Sequence, residues 1–179
     1  NLENIIGTAF NDTLAGNSGV NIITAGLGDD VLIGGAGADT LDGGTGSDTA
    51  SYITSAAGVS VNMALATQVG GDAQGDVFTS IENLAGSNYN DTLTGNSSAN
   101  ILSGNDGNDT LIGGAGADTL DGGNGIDTAS YAASTAAINV NLALATAQAA
   151  GGDAAGDIIS NVENLIGSNY NDILGGNSV

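Results

Sequence analysis

The sequence predicts an all-β fold in which short parallel strands wind into a solenoid, with two nonapeptides in each turn. Three observations support this prediction. The 179 residues include long runs of consecutive nine-residue units. The units carry glycines in their first half, and glycine accepts the positive φ of a tight turn without steric cost. Positions seven to nine of each unit are suited to a short strand, with the side chain of position eight pointing inward.

The composition predicts a protein that depends on cations. The chain has 20 acidic residues and no lysine, arginine or histidine, so its formal net charge is -20. Salt bridges cannot neutralise a chain that carries one sign of charge. Hydrophobic residues nevertheless make up 41% of the sequence, whereas disordered acidic chains are usually poor in them. We therefore expect folding to be conditional on a bound cation.

The same composition excludes several classes of function. Nucleic-acid binding needs basic side chains, and an anionic membrane surface would repel the chain. Because cysteine and histidine are absent, zinc sites and Ser–His or Cys–His catalytic pairs cannot be built. No apolar run is long enough to insert into a membrane, and we recognise no N-terminal signal peptide. We expect a window of a longer array, and no enzyme.

The units form blocks within a longer period of about 80 residues. Each complete block contains five gapless units with the motif G-G-x-G-x-D-x-L-x, which is degenerate in the first two units. The chain thus divides into an entry triplet with the first block (1–51, nonapeptides 7–51), a connector (52–85), the second block (86–130), a second connector (131–166) and the truncated start of a third block (167–179).

Two units together make one 18-residue turn of the solenoid, so residues 18 apart stack along its axis at a spacing of about 4.8 Å. The inward position eight is apolar in every unit of the two blocks: Leu14, Ile23, Leu32, Leu41, Ala50, Leu93, Leu102, Leu111, Leu120 and Ala129. Position six collects carboxylates and amides in columns at the two edges: Asp12, Asp30 and Asp48 opposite Asn21 and Asp39, then Asp91, Asp109 and Asp127 opposite Asn100 and Asp118, with Asp172 in the third block.

Stacked carboxylates at this spacing repel one another by several kcal/mol if the effective dielectric constant is about 20. An ion between successive turns reverses the sign of this energy. The available ligands are carboxylate and carbonyl oxygens, which favour Ca²⁺ over Mg²⁺ and over zinc or copper. We expect several calcium ions.

The units resemble the hemolysin-type calcium-binding nonapeptide of RTX proteins, G-G-x-G-x-D-x-U-x, over about half of the chain. The resemblance implies a parallel β-roll, a β-solenoid with calcium bound in the turns. It also implies that carbonyls at positions two and four and the aspartate at position six act together with position six of the unit two further on. The implied ligands are Gly26, Gly28 and Asp30 with Asp48; Asn105, Gly107 and Asp109 with Asp127; and, on the other edges, Gly35, Gly37 and Asp39, and Gly114, Gly116 and Asp118.

Some units depart from the family pattern. Asn21 and Asn100 replace the aspartate, and Phe10 and Tyr89 replace the glycine at position four. We therefore expect the first two units of each block to be entry caps with fewer or weaker ions.

The connectors are not nonapeptides. Each begins with a tyrosine and then alternates apolar and other residues, which predicts a strand with one buried face: Val59, Val61, Met63 and Leu65, then Ile138, Val140, Leu142 and Leu144. We expect a continuous or nearly continuous solenoid. Tyr52, Tyr89, Tyr131 and Tyr170 are expected to be packing groups at the block ends.

Acidic pairs follow in the connectors, Asp72 with Asp76 and Asp153 with Asp157. They are candidates for a further ion or for a plain acidic turn, and the spacing leaves both open. A glycosidase dyad is disfavoured because no sugar-binding group lies nearby. The glutamates that precede the blocks are interpreted as turn or capping residues rather than ligands: Glu3, Glu82 and Glu163.

Two functions remain. The first is the structural body of a large secreted bacterial surface protein, such as a surface layer, sheath, filament or adhesin, with neighbouring repeats or copies of itself as partners. The second is the calcium-folded secretion module of an RTX toxin or hydrolase. The resemblance implies type I export and folding in extracellular calcium for both. The long repeat period favours the first.

Overall fold

The computed structural model describes residues 3–148 and 151–177, and in these residues the chain forms short β-strands and two single-turn 3₁₀ helices, Gly71–Ala73 and Gly152–Ala154. The strands are β1 (Asn4–Ile6), β2 (Thr13–Ala15), β3 (Ile22–Leu27), β4 (Val31–Ile33), β5 (Thr40–Thr45), β6 (Thr49–Ser51), β7 (Ser60–Asn62), β8 (Val77–Thr79), β9 (Asn83–Ala85), β10 (Thr92–Thr94), β11 (Ile101–Ser103), β12 (Thr110–Ile112), β13 (Thr119–Asp121), β14 (Thr128–Ser130), β15 (Asn139–Asn141), β16 (Ile158–Ser160), β17 (Asn164–Ile166) and β18 (Ile173–Gly175).

All the ladders between named strands are parallel, and within the blocks their register is 18 residues. Leu14 pairs with Leu32, Ile23 with Leu41, and Leu93 with Leu111. A parallel ladder with this register arises when the chain completes one turn of the solenoid for every two nonapeptides. The predicted fold class, a parallel β-roll, is confirmed.

Successive strands within a block alternate between two sides of the roll. One side is a seven-stranded sheet with the order β16-β13-β11-β9-β6-β4-β2. The alternate strands form a four-stranded sheet, β1-β3-β5-β8, and a five-stranded sheet, β17-β14-β12-β10-β7, while β15 pairs with β18. Strand β9 pairs with β6 and with β11, so the roll continues through the first connector, as predicted.

The residues at position eight form the core. All but one of them are fully buried, and the exception, Leu14, packs partly buried against the same cluster. The connectors add their own apolar residues to this cluster, among them Val61 and Val140. One side chain from each short strand therefore builds a continuous apolar column between the sheets.

The connector strands are shorter than predicted. Strand β7 ends at Asn62, and Leu65, expected on the buried face, is 58% exposed. The Asn62 side chain accepts a hydrogen bond from the Ala64 N–H and its carbonyl accepts one from Leu65, so the chain turns away from the sheet. The same turn at Asn141 leaves Leu144 39% exposed. The alternating pattern thus continues past the end of each strand.

The blocks also contain a departure from the predicted three-residue strands. Strands β3 and β5 each run for six residues, because Gly26 and Leu27 pair with Gly44 and Thr45 beyond the expected strand end.

Two of the four tyrosines are core residues and two are not. Tyr52 and Tyr131 are buried, as predicted. Tyr89 is 49% exposed and Tyr170 is 56% exposed, so the prediction that they pack at block ends is wrong. Both precede their block's first strand by a few residues and lie in a turn at the edge of the roll.

The connector changes which side of the roll each unit occupies. Its first two strands, β7 and β8, both lie outside the seven-stranded sheet, which breaks the alternation once. As a result, the strand of unit one belongs to the seven-stranded sheet in the first block (β2) and to the five-stranded sheet in the second (β10). In the described ranges, no helix has the length and apolar character needed to cross a membrane.

Candidate metal centre

The residues at position six form hydrogen-bonded columns along the edges of the roll. Asp30 Oδ1 accepts the backbone N–H of Asp12 at 2.7 Å, and Asp48 Oδ1 accepts that of Asp30 at 2.8 Å. In the second block, Asp109 and Asp127 repeat this pattern at 2.8 and 2.7 Å. Each carboxylate therefore lies between its own turn and the turn before it, as the 18-residue stacking requires.

The second oxygen of many of these carboxylates has no partner. Among the described residues, the buried side-chain oxygens without a hydrogen bond are the Oδ2 atoms of Asp30, Asp39, Asp48, Asp109, Asp118 and Asp127. All six are position-six aspartates of units three, four and five of their block. Burying a charged oxygen without a partner is costly. A cation at each of these oxygens would remove that cost.

The turns of the same units have a distinct backbone shape. Positions two and four take positive φ, for example +116° at Gly26 and +120° at Gly28. In the second block, Asn105 also takes positive φ at position two, at +75°. Asparagine is among the non-glycine residues that tolerate this region best. No residue at these positions in units one and two has positive φ.

The turn carbonyls point along the axis of the roll toward the next turn. A Cβ atom added to Gly44 would collide with the carbonyl oxygen of Gly26, and one added to Gly46 would collide with that of Gly28. Gly123 and Gly125 meet the carbonyls of Asn105 and Gly107 in the same way. The carbonyl oxygens at positions two and four thus lie between successive turns of the roll.

This donor set fits calcium. It offers hard oxygens from two successive turns, with one carboxylate per turn, and calcium accepts six to eight such ligands in flexible geometry. No group of three acidic side chains converges in residues 3–148 and 151–177. The Asn105 carbonyl already accepts a hydrogen bond from Asn124 at 2.7 Å, and its second lone pair remains available.

The first two units of each block use position six differently. In these units the backbone N–H of position two donates a hydrogen bond to the position-six side chain of the same nonapeptide. Thr8 donates to Asp12 at 2.6 Å, and Ser87 donates to Asp91 at 2.6 Å. Asn21 and Asn100 accept the corresponding bonds from Asn17 and Asn96. In the third block, Asp172 accepts the Ser168 hydroxyl and the Ile138 N–H, which lower its pKa.

Asp76 and Asp157 of the connectors are buried, and both oxygens of each carboxylate accept a hydrogen bond. Asp76 Oδ1 accepts the Asp39 N–H at 2.8 Å, and its Oδ2 accepts the Tyr52 hydroxyl at 2.8 Å. Asp157 makes the same two bonds with Asp118 and Tyr131, at 2.9 and 2.7 Å. Asp72 and Asp153 are half-buried. Burial raises the pKa of Asp76 and of Asp157, and the charges of Asp72 and of Asp153 respectively add a smaller part of that rise.

Two glutamates complete the columns at the block ends. Glu82 accepts the Asp48 N–H at 2.9 Å and Glu163 accepts the Asp127 N–H at 2.8 Å, in the place that a position-six aspartate takes elsewhere. The sequence predicts turn or capping residues at these positions rather than ligands. One sequence feature indicates their place in the column. Each glutamate directly precedes a short strand with an apolar middle residue, as position six does in a nonapeptide; Glu82, for example, precedes Asn83–Ala85.

Burial changes the acidity of the column. It raises the pKa of Asp109 and of Asp118 to about 6, and their backbone hydrogen bonds offset only part of that rise. Burial also raises the pKa of Asp39 and Asp48. Burial, followed by the charge of Asp76, raises the pKa of Tyr52 above its usual range, so its hydroxyl keeps its proton. In the ion-free column, burial therefore favours the protonated form of these carboxyl groups more than it is favoured in exposed ones.

The comparison with known families agrees with this geometry. A family model described as the RTX calcium-binding nonapeptide repeat matches four times, over residues 3–32, 16–50, 78–111 and 94–129, which together make up more than half of the chain. The chain belongs to the RTX calcium-binding nonapeptide repeat family. No curated protein sequence matches it.

The family assignment confirms the resemblance recognised in the sequence. RTX nonapeptide repeats bind calcium and occur in secreted proteins, and the RTX β-roll is a structural calcium-binding module rather than a catalytic one.

Proposed function

We propose that this chain is a calcium-dependent structural repeat region of a large secreted bacterial surface protein, such as a surface layer, sheath, filament or adhesin. One observation carries the proposal: the buried, unpartnered Oδ2 atoms of the six position-six aspartates. They occur in the units whose turns have positive φ at positions two and four. The chain would therefore complete its fold only when cations occupy the turns.

The residues that would hold each ion come from two successive turns. In the first block they are the carbonyls of Gly26 and Gly28 with Asp30, facing Asp48. Asn105, Gly107 and Asp109, facing Asp127, would do the same in the second block. Calcium would supply the positive charge that the sequence lacks. The positive-φ turns aim the carbonyls, and the backbone N–H groups hold each carboxylate between the turns.

Folding that depends on calcium binding would suit the region to work outside the cell. A ligand that binds only the folded state stabilises that state by mass action, so stability rises with calcium concentration. In low calcium the repulsion among 20 acidic residues would keep the chain unfolded and suitable for export. In extracellular calcium the chain would wind into a rigid spacer.

The structural role is favoured over a secretion module by the regularity of the chain. With a period of about 80 residues, each block has the same core and columns and is followed by the same kind of connector, so neighbouring repeats can extend the roll. We propose the five segments defined from the sequence as its building units, and neighbouring repeats or copies of the same chain as its partners.

Calcium removal tests this proposal. We expect EGTA to abolish the β-sheet signal in circular dichroism at neutral pH, because the unpartnered carboxylates would then repel one another. Calcium should restore the signal, whereas the same concentration of Mg²⁺ should restore little of it, since magnesium demands a smaller, octahedral site. A spectrum that EGTA leaves unchanged would contradict the proposal.

A further inference from the structure

Each connector contains a buried tyrosine–aspartate pair at the end of one column. Tyr52 donates its hydroxyl to Asp76 at 2.8 Å, and Tyr131 donates to Asp157 at 2.7 Å. All four side chains are buried. Each tyrosine is the first residue after a block, and the pair recurs in the second connector with the same partners. The arrangement is thus a repeated feature of the fold.

Asp76 occupies the same place in its column as Asp48 does in the other. The Oδ1 atom of each accepts the backbone N–H of the previous position-six aspartate, Asp39 or Asp30, at 2.8 Å. Their carboxylates differ at Oδ2. In Asp48 this oxygen is buried without a partner, whereas in Asp76 it accepts the tyrosine hydroxyl. Asp127 and Asp157 show the same contrast in the second block.

The turn that faces Asp76 has the shape of an ion-binding turn. Gly35 and Gly37 take positive φ, at +88° and +136°, as their counterparts Gly26 and Gly28 do. On the connector side, however, the chain forms the Gly71–Ala73 3₁₀ helix, and Gly75 packs on the Ala38 side chain rather than on a turn carbonyl. The turn of unit four therefore has the backbone shape of an ion-binding turn, whereas the connector that faces it does not.

We propose that Tyr52 and Tyr131 determine how many calcium ions the roll binds, by donating a hydroxyl hydrogen to the aspartate oxygen that would otherwise face an ion. The gap between unit four and the connector then holds no calcium. This inference rests on the proposed calcium-dependent function. It adds that each block is closed on one edge by a hydrogen-bond donor, the tyrosine hydroxyl, rather than by a cation.

Counting bound calcium tests this proposal. The protein is equilibrated in calcium by gel filtration, and ions per chain are measured by mass spectrometry of the eluted peak. We expect Tyr52→Phe to bind one more ion than the wild type, because it frees Asp76 Oδ2 while keeping the buried ring. Tyr131→Phe should do the same, and the double variant should gain two.

A pair of matched variants makes the test independent of the tyrosine changes. Asp76→Asn should bind as many ions as the wild type, whereas Asp48→Asn, the same change at the equivalent place in the other column, should bind fewer. The proposal is overturned if Asp76→Asn loses an ion, or if a folded Tyr52→Phe protein shows the wild-type count. A wild type that binds no calcium would instead overturn the proposed function.

Discussion

At the scale of single residues, the molecule depends on the side chain at position six, which is a carboxylate in every unit of the two complete blocks except unit two of each. Asp30 is buried, its Oδ1 accepts the Asp12 N–H, and its Oδ2 has no partner in the protein. The same residue contributes its backbone N–H to Asp48 at 2.8 Å. It therefore connects two gaps between turns, and its charge faces the position that a cation would take.

Replacing Asp30 by asparagine should weaken calcium binding while keeping the hydrogen-bond acceptor. We expect the calcium concentration at the folding midpoint to rise about tenfold, which corresponds to about 1.4 kcal/mol. Asp42→Asn is the matched control, because it removes the same charge from within β5, outside the column. Its midpoint should change by less than about twofold, within the range expected for surface substitutions. Calcium titration followed by circular dichroism measures both; equal shifts would show that the column register is wrong.

Of these residue-scale features, the columns could be predicted from the sequence and the tyrosine–aspartate pairs could not. The columns follow from the nine-residue period alone, because a fixed period fixes which residues stack. The tyrosine–aspartate pairs could not be derived in this way, because Tyr52 and Asp76 are 24 residues apart and belong to no nonapeptide. Only the path of the connector brings them together.

At the scale of elements, each strand is too short to be stable by itself. Most of the strands contain three residues and bury one apolar side chain, so their stability comes from neighbours above and below in the ladder. Leu111 in β12 is fully buried and pairs with Leu93 and Ala129 in the adjoining strands. Removing its side chain would leave a cavity in the continuous core.

Leu111→Ala should lower the free energy of unfolding in saturating calcium by about 2 to 5 kcal/mol, the usual cost of such a cavity. Leu65→Ala makes the same change in the turn after β7, where the side chain is 58% exposed, and should cost less than about 0.5 kcal/mol. Thermal unfolding with calcium present measures the difference. Similar losses in the two variants would contradict the assigned core.

The strands of the blocks could be predicted because position eight repeats every nine residues. The connectors were less predictable at this scale. Their alternating residues indicate a longer strand than the structure has. Asn62 and Asn141 end the strands because their side chains accept the N–H groups two residues further on, which turns the chain away from the sheet.

At the scale of the whole molecule, the balance of charge and burial makes the metal-free roll sensitive to pH. The pKa of Asp109 and of Asp118 is about 6 in the fold, against an ordinary value of 3.8. The folded state thus holds these protons more tightly than the unfolded state does. The resulting stabilisation is complete below the ordinary value and is lost as the pH rises through about 6.

We therefore expect protein freed of metal on a chelating resin to show more β structure at about pH 5 than at about pH 7.5, because protons then neutralise part of the column. Calcium affinity should change in the opposite direction and weaken at the lower pH. Circular dichroism and calcium titration at the two pH values test both expectations. If the metal-free chain is equally unfolded at the two pH values, protonation of the buried aspartates does not stabilise the roll.

The interrupted alternation of strands at the connector also has a geometric consequence. Since unit one lies on opposite sides of the roll in the two blocks, a side chain that a repeat displays on its left is displayed by the next repeat on its right. Two repeats, not one, are then the smallest piece that looks the same after translation. A fibre of such repeats would present equivalent surfaces on both flanks, and anything attached at one position in each repeat would project alternately to either side.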